Sequence, residues 1–316
     1  MIKKPNELDF SNKKFSMIIA GVPGIGKTTL ALSAPNPLLI DIDNGVSRVE
    51  ASYRTDTDVV SSYDELCSDL KNSNLSAYDT IIIDTGGKLL EMMKPVVGQK
   101  DPKNLKKDGS LSLQGYGAVK KEFTKFTSAV KAMGKNIIFV FHASEVNLSD
   151  DTTGLRIRVE GKTRDEVWDD IDIGGFMEMK GNNRTIGFSN CERYYAKGTH
   201  GIHGVYEIPV LTHGAKNTFV IDLFNKMRQD LISEQKEVSE CSKIVAEGRE
   251  LLSKAKDIKE FNKAVKAIGA MSHVLTSRDE LLAEVNAMAK SNGYKYDKTK
   301  KEYIENAVSD NAEPTK

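Results

Sequence analysis

The sequence predicts an α/β fold: a doubly wound, mostly parallel sheet with helices on both faces, followed by a small α-helical C-terminal region. Three observations carry this expectation. Short apolar runs alternate with longer stretches of helical periodicity over residues 15–232. Each run is brief and nearly continuous in apolar character, which is how strands buried on both faces read. From residue 233 onward no strand-like run survives, and Ala, Lys, Glu and Leu dominate.

The first strand is expected in FSMIIA (15–20), followed by PLLIDID (37–43), TIIIDT (80–85) and NIIFVFH (136–142). Helices are expected over 27–33, 63–71 and 113–133. In the longest, Tyr116, Val119, Phe123, Phe126 and Val130 fall at helical spacing. After Asp150 the pattern changes. IDIGGFMEMK, RTIGFSNCERYY and GVYEIPV read as a few antiparallel strands joined by Gly and Asn turns. Three amphipathic helices are expected beyond 233, marked by Ile244, Leu251 and Leu252, then Phe261, Val265 and Ile268, then Leu281, Leu282, Val285 and Met288. The division is therefore an N-terminal arm (1–14), an α/β domain (15–232), a helical region (233–305) and a tail (306–316) expected to be disordered.

Composition narrows the classes. The chain has 316 residues, 45 basic and 45 acidic, so its net charge is zero. Any nucleic-acid binding must then come from a local patch. The helical region is balanced too, with 15 Lys and Arg against 15 Asp and Glu over 233–316. Cys67, Cys191 and Cys241 are far apart and form no CxxC, which fits a reducing interior better than a disulfide framework. The first residues lack an apolar signal core, and no run approaches a membrane span, so a cytoplasmic protein is expected.

The chemistry starts at AGVPGIGKTTLAL (20–32), which holds the spacing G-x-x-x-x-G-K-T between an expected strand and an expected helix. Gly21, Gly24 and Gly26 let the backbone wrap phosphates where a Cβ would clash. The N–H groups of Val22, Pro23's neighbours, Ile25, Gly26 and Thr29 are expected to face the anion. Lys27 reaches the β- and γ-phosphates, and the Thr28 hydroxyl ligates Mg²⁺. The implied cofactors are ATP and Mg²⁺. YDTIIIDT supplies the second acidic residue, Asp84, at the end of a buried strand, expected to hold magnesium through water. Ring motors often place Glu directly after that Asp; here Thr85 follows, so the catalytic carboxylate must lie elsewhere. Asp43 is the first choice and Asp41 its rival, both near the mouth of the second strand. The bland alternative for Asp43 is a cap for the turn at Asn44-Gly45. His142, ending the fourth strand, is expected to sense the γ-phosphate or position water; otherwise it only closes a strand.

Together GVPGIGKT, IDIDNG, IIIDT and FVFHASE resemble the RecA-like recombinase core over about residues 10–230. More closely the chain resembles the compact phage AAA-type ATP-binding proteins, among them the Sak-type single-strand annealing proteins. Asp43 departs from the Glu usual in that group, and His142 from a frequent Gln. The resemblance implies a homo-oligomer, filament or ring, whose ATPase is stimulated by single-stranded DNA. It also implies a DNA-facing loop over 143–170, where Arg156, Arg158, Lys162 and Arg164 cluster near Trp168, a stacking platform or a core residue. A second basic loop, 98–109, falls where the family's first DNA loop does, or is a solvated linker. Arg193 or Lys197 would act on the phosphate of a neighbouring subunit. His200, His203 and His213 lack metal-site spacing and read as surface loop residues. The C-terminal helices would bind DNA, a single-strand-binding protein or other copies. The function implied is ATP-dependent DNA annealing or strand pairing. A replication motor or loader is the alternative, with a small-molecule kinase third.

Overall fold

The computed structural model describes residues 2–148, 152–211 and 215–305. Contacts divide the chain into two compact units, residues 12–230 and residues 1–11 with 231–316.

The first unit is built on one sheet. In chain order its elements are β1 (Ser16–Gly21), α1 (Lys27–Ala31), β2 (Pro37–Asp41), β3 (Thr57–Asp58), α2 (Tyr63–Asn72), β4 (Thr80–Asp84), α3 (Gly86–Lys100), α4 (Leu113–Ala132) and β5 (Asn136–Asn147). Then come β6 (Thr153–Ile157), α5 (Thr163–Glu166), β7 (Ile173–Lys180), β8 (Asn183–Gly187), β9 (Val205–Glu207) and the start of α6 (Phe219–Lys254). The strand order is β3-β2-β4-β5-β1-β7-β8-β9, with β6 pairing β5. Strands β2, β4, β5, β1 and β7 run parallel, so their C-terminal ends share one edge.

Burial follows from the sequence. Every residue of β1 and β4 is buried, as central strands covered on both faces require. Ile18, Ala20, Ile81, Ile83, Phe139 and Phe141 join Leu66, Leu89, Met93, Phe123 and Phe126 of α2, α3 and α4 in one core cluster. Met17 and Ile19 alternate to the other face, fully buried. There Val220 at the start of α6 donates its N–H to Ser33 Oγ at 3.0 Å.

Four features differ from the sequence expectations. Helix α3 was unread, because Gly86, Gly87 and Pro95 mask its period. Thr85 caps it, accepting from Lys88 N, so the hydroxyl that follows Asp84 starts a helix. β7 is parallel to β1 and only then antiparallel to β8, so the 171–180 run belongs to the main sheet. The expected loop at 143–170 is instead an extension of β5, the antiparallel strand β6 and the short helix α5. Finally, 98–109 begins as the end of α3 and folds back through Pro102–Asn104, where buried Asn104 donates to Val97 O at 2.9 Å.

The second unit holds residues 231–254 of α6, α7 (Ile258–Gly269), α8 (Ser277–Ser291), β10 (Tyr294–Asp297) and β11 (Glu302–Glu305). The expected helices are present, the first as the continuation of α6. The two-stranded hairpin corrects the expectation of no strand beyond 233. It forms because Tyr303 packs on Phe261 of α7, with ring centroids 5.1 Å apart. The Asn262 amide also meets both main-chain groups of Tyr303, at 2.8 Å each. Leu281, Val285 and Ala289 of α8 close this small core with Ile244 and Leu252. The expected tail lies outside the described residues.

One glycine tests the packing of α4. A Cβ on Gly115 would lie 2.2 Å from the main-chain oxygen of Asn104. Gly115→Ala gains up to about 1 kcal/mol of helix propensity but forces a backbone shift costing about 1–3 kcal/mol. The expected outcome in urea unfolding is a net loss of stability; an unchanged or raised midpoint would contradict this packing.

Candidate phosphate and nucleotide site

The register sets the site. Asp41 pairs with Asp84, Asp84 with Val140, and Gly21 with His142, so the expected residues come to one edge. The β1 strand ends there in a loop whose Gly24 and Gly26 hold φ of 81° and 99°, a region L side chains rarely adopt. Gly21 is needed for space: a Cβ would lie 3.1 Å from Met177 O. The loop feeds α1, presenting its first N–H groups and Thr28 to the same mouth.

Thr28 Oγ1 donates to Asp84 Oδ2 at 2.6 Å. Asp84 is only 6% exposed, and burial, with Asp41 and Asp43 nearby, raises its pKa despite the Thr28 hydrogen bond. Lys27 is buried and donates to Val22 O at 2.9 Å. Burial lowers its pKa to about 8; Asp84 opposes this and Arg158 adds to it. A buried carboxylate of raised pKa beside a hydroxyl is a hard-oxygen donor pair suited to Mg²⁺. The neighbouring buried ammonium suits an anion. The residues therefore fit both expected groups.

The two rival carboxylates differ in use. Asp41 is 1% exposed and accepts from the N–H groups of Asp43, Gly45 and Val46 at 3.2, 2.9 and 2.9 Å. It braces the turn after β2, the role first weighed for Asp43. Asp43 stands free of the turn's N–H groups and meets Lys88 Nζ at 2.6 Å and Arg48 Nη2 at 3.1 Å. Burial pushes its pKa up, but those two cations outweigh it and lower it. His142 Nε2 is 3.8 Å from Asp43 Oδ2, beyond hydrogen-bond distance, and its buried Nδ1 has no partner among the described residues. Burial, Lys27 and Arg158 lower the His142 pKa, so the ring is neutral at neutral pH.

The remaining expected residues separate. Arg158 lies at the mouth, its N–H donating to His142 O at 2.8 Å. Arg156 instead donates to the main-chain oxygens of Leu155 and Arg193, and Arg164 faces Asp165 at 3.5 Å. Lys162 is exposed at the start of α5. Trp168 is a core residue, 3% exposed and stacked on Phe176. Arg193 pairs with Glu178 at 2.5 Å and Glu145 at 3.3 Å. Lys197 donates to the carbonyls of Trp168 and Asp169. His200 faces Phe15, His203 is exposed, and His213 lies outside the described residues; among those described no metal-holding group occurs.

Sequence reasoning missed three things. Lys88 was hidden with α3. Arg184 of β8 donates Nε to Ile25 O at 3.0 Å, latching the phosphate loop to the antiparallel end of the sheet. A cavity of about 380 Å³ opens beside Gly26 and Thr29, with Tyr53, Tyr206, Ile208 and Pro209 among its walls. Asn217, also in the wall, donates to Thr29 O at 2.6 Å. The signal for this cavity was the aromatic-Pro run at 204–210, read only as a strand.

The second unit presents a basic face. Lys259, Lys263 and Lys266 line one groove with Tyr303 and Ile304, which Glu302 and Glu305 also border. Lys295, Lys298, Lys300 and Lys301 extend from the hairpin. All seven lysines are exposed and none is in an ion pair among the described residues; Tyr296 is 48% exposed.

No described helix is long and apolar enough to cross a membrane. A comparison with curated proteins found no match. A family model described as an AAA domain matches residues 13–200, more than half of the chain and nearly all of the sheet that carries the phosphate loop. With that loop, Thr28 against Asp84, and a nucleotide-sized cavity alongside, the chain belongs to the AAA domain family of P-loop nucleotide-binding ATPases.

Proposed function

We propose that this chain hydrolyses Mg·ATP and couples it to single-stranded DNA, as a phage-type annealing or strand-pairing ATPase. The observation that carries the nucleotide half is the 2.6 Å contact of Thr28 with Asp84 beside buried Lys27. In this reading Lys27 and the loop N–H groups hold the β- and γ-phosphates, and Arg184 fixes the loop against β8. The base enters the cavity walled by Tyr53 and Tyr206, and Asn217 ties that wall to the phosphate helix through Thr29. Thr28 directly and Asp84 through water would hold Mg²⁺, which would neutralise phosphate charge. Asp43 and neutral His142 orient the attacking water between them, since phosphoryl transfer asks mainly for positioning. Asp43 is an acceptor for that water more than a strong base, because Lys88 and Arg48 keep it ionised.

The DNA half rests on the sequence resemblance and on the lysine face of the second unit. Unpaired lysines beside an exposed Tyr supply the cations and π-face that a single strand needs. In this reading the DNA contact is assigned to α7 and the hairpin in preference to Arg156, Lys162 and Arg164, whose segment is folded as β6 and α5. A motor or loader would need partner helicase for activity, and a kinase an acceptor metabolite; transfer of phosphate to a metabolite would establish the latter.

Three outcomes are expected. Lys27→Ala abolishes ATP binding. In the wild type, affinity holds between pH 7 and 8 and falls above about 8, by up to tenfold per pH unit, as free Lys27 loses its proton. The direction follows because a bound phosphate favours the ammonium, so binding takes up the proton that free Lys27 has lost. Equilibrium binding of a labelled nucleotide reads this; a flat profile to pH 10, or binding by Lys27→Ala, removes Lys27 from the site. Asp43→Asn keeps ATP binding and loses turnover about 10²-fold or more; normal turnover would move the water-orienting role elsewhere. In filter binding with ATP, the Lys259, Lys263 and Lys266 triple change to Ala weakens single-stranded DNA binding. It also lowers the salt slope by about 0.7 per lysine, or about 2 in all. Unchanged affinity and slope would take DNA off this face, and no DNA binding by the wild type at low salt would end the DNA reading.

A further inference from the structure

The resemblance puts the phosphate-directed cation on a neighbouring subunit, at Arg193 or Lys197. Both are engaged inside this chain, in two ion pairs and two carbonyl contacts respectively. A different cation stands at the mouth. β6 runs antiparallel to β5 with Ile157 opposite Ala143, and one step on, Arg158 N donates to His142 O at 2.8 Å. Residues opposite one another on antiparallel strands project to the same face. His142 turns its Nε2 toward Asp43 on that face, so Arg158 projects toward the same mouth. The Arg158 main chain also lies close to the start of α3, its oxygen 3.5 Å from where a Gly87 Cβ would be.

The surrounding charges leave this guanidinium available. Asp43 is taken by Lys88 and Arg48, Asp84 by Thr28, and Glu160 by Lys94. Arg158 is exposed and makes no side-chain hydrogen bond or ion pair among the described residues. Its positive field reaches the His142 ring and helps to lower its pKa. A merely solvated rim arginine would not need β6 to deliver it beside His142.

We propose that Arg158 is a catalytic cation supplied in cis, binding the γ-phosphate oxygens of a nucleoside triphosphate held by Lys27 and Thr28. The proposal rests on the reading of this site as a Mg·ATP hydrolase. In the step it assists, the water oxygen bonds to the γ-phosphorus and the bond to the β–γ bridging oxygen breaks. The electron pair leaves with ADP, and the water's proton passes to phosphate and solvent. Arg158 neither gains nor loses a proton; it stabilises charge on the oxygens in flight, as arginines supplied in cis or in trans do in other P-loop enzymes. Each site is then complete within one chain.

The test uses the full-length protein carrying Arg158→Ala or Arg158→Lys, with folding checked by circular dichroism. Arg158→Ala is expected to lower turnover about 10³-fold or more. It should weaken a non-hydrolysable ATP analogue at least tenfold while leaving ADP affinity within twofold; Arg158→Lys should recover part of both. Mixing Arg158→Ala with Lys27→Ala then distinguishes cis from trans. No activity should return, because no chain in the mixture holds both groups. Return of activity would show action across subunits and overturn the proposal, as would unchanged turnover in a wild type that hydrolyses ATP. If the wild type hydrolyses no ATP, the hydrolase reading fails, and an unchanged ratio of analogue to ADP affinity would overturn the Arg158 assignment independently.

Discussion

The Thr28–Asp84 hydrogen bond joins residues 56 positions apart in the chain, and the rest of the first unit serves to make it possible. Thr28 stands at the start of α1 because Gly24 and Gly26 let the chain turn off β1. Asp84 stands opposite because β4 runs parallel to β1 with β5 between them. A parallel sheet forces all these strand ends to one edge, so a hydroxyl, a carboxylate and an ammonium meet in a space that excludes water from one side. The burial that assembles them also perturbs them. Asp84 is raised and Lys27 lowered by the same desolvation, and each is left short of a full counter-charge. In the proposed reading, triphosphate and a divalent cation together would answer both deficits.

The residues proposed to act beyond binding form a second layer. Asp43 is held by Lys88 and Arg48, and His142 is kept neutral by burial, Lys27 and Arg158. Neither arrangement gives a strong base. In the proposed hydrolysis both would act as fixed dipoles or charges, which is what a loose phosphoryl-transfer transition state requires. Arg184 and Asn217 extend this rigidity, tying the loop and the first helix to β8 and to the cavity wall.

How much of this was legible varied with the physical cause. The central strands were readable because burial on both faces leaves continuous apolar runs. The phosphate loop was readable because its glycines, lysine and threonine have fixed spacing. Helix α3 was not, because its first turn is Gly-Gly and its interior holds Pro95, so Lys88 went unseen. The hairpin at 294–305 was missed because its strands, YKYD and EYIE, are short and mostly polar or aromatic, and its stability comes from Phe261 and Asn262 on another element. Arg158 was assigned to a loop because nothing local says that β6 folds back on β5. Asp41 and Asp43 were inseparable on periodicity; only the turn N–H groups distinguish the brace, Asp41, from the carboxylate that meets Lys88 and Arg48. Side chains whose role depends on a distant partner are the ones that sequence pattern conceals.

The central claim is that the loop, Thr28 and Asp84 form one magnesium–triphosphate site. A crystal structure with a non-hydrolysable ATP analogue and Mn²⁺, read by anomalous scattering, tests it most directly. The expected result is one manganese peak about 2.1 Å from Thr28 Oγ1. Asp84 should lie in its outer sphere, with the γ-phosphate at Lys27. A metal peak elsewhere, or triphosphate bound away from residues 21–29, would contradict it.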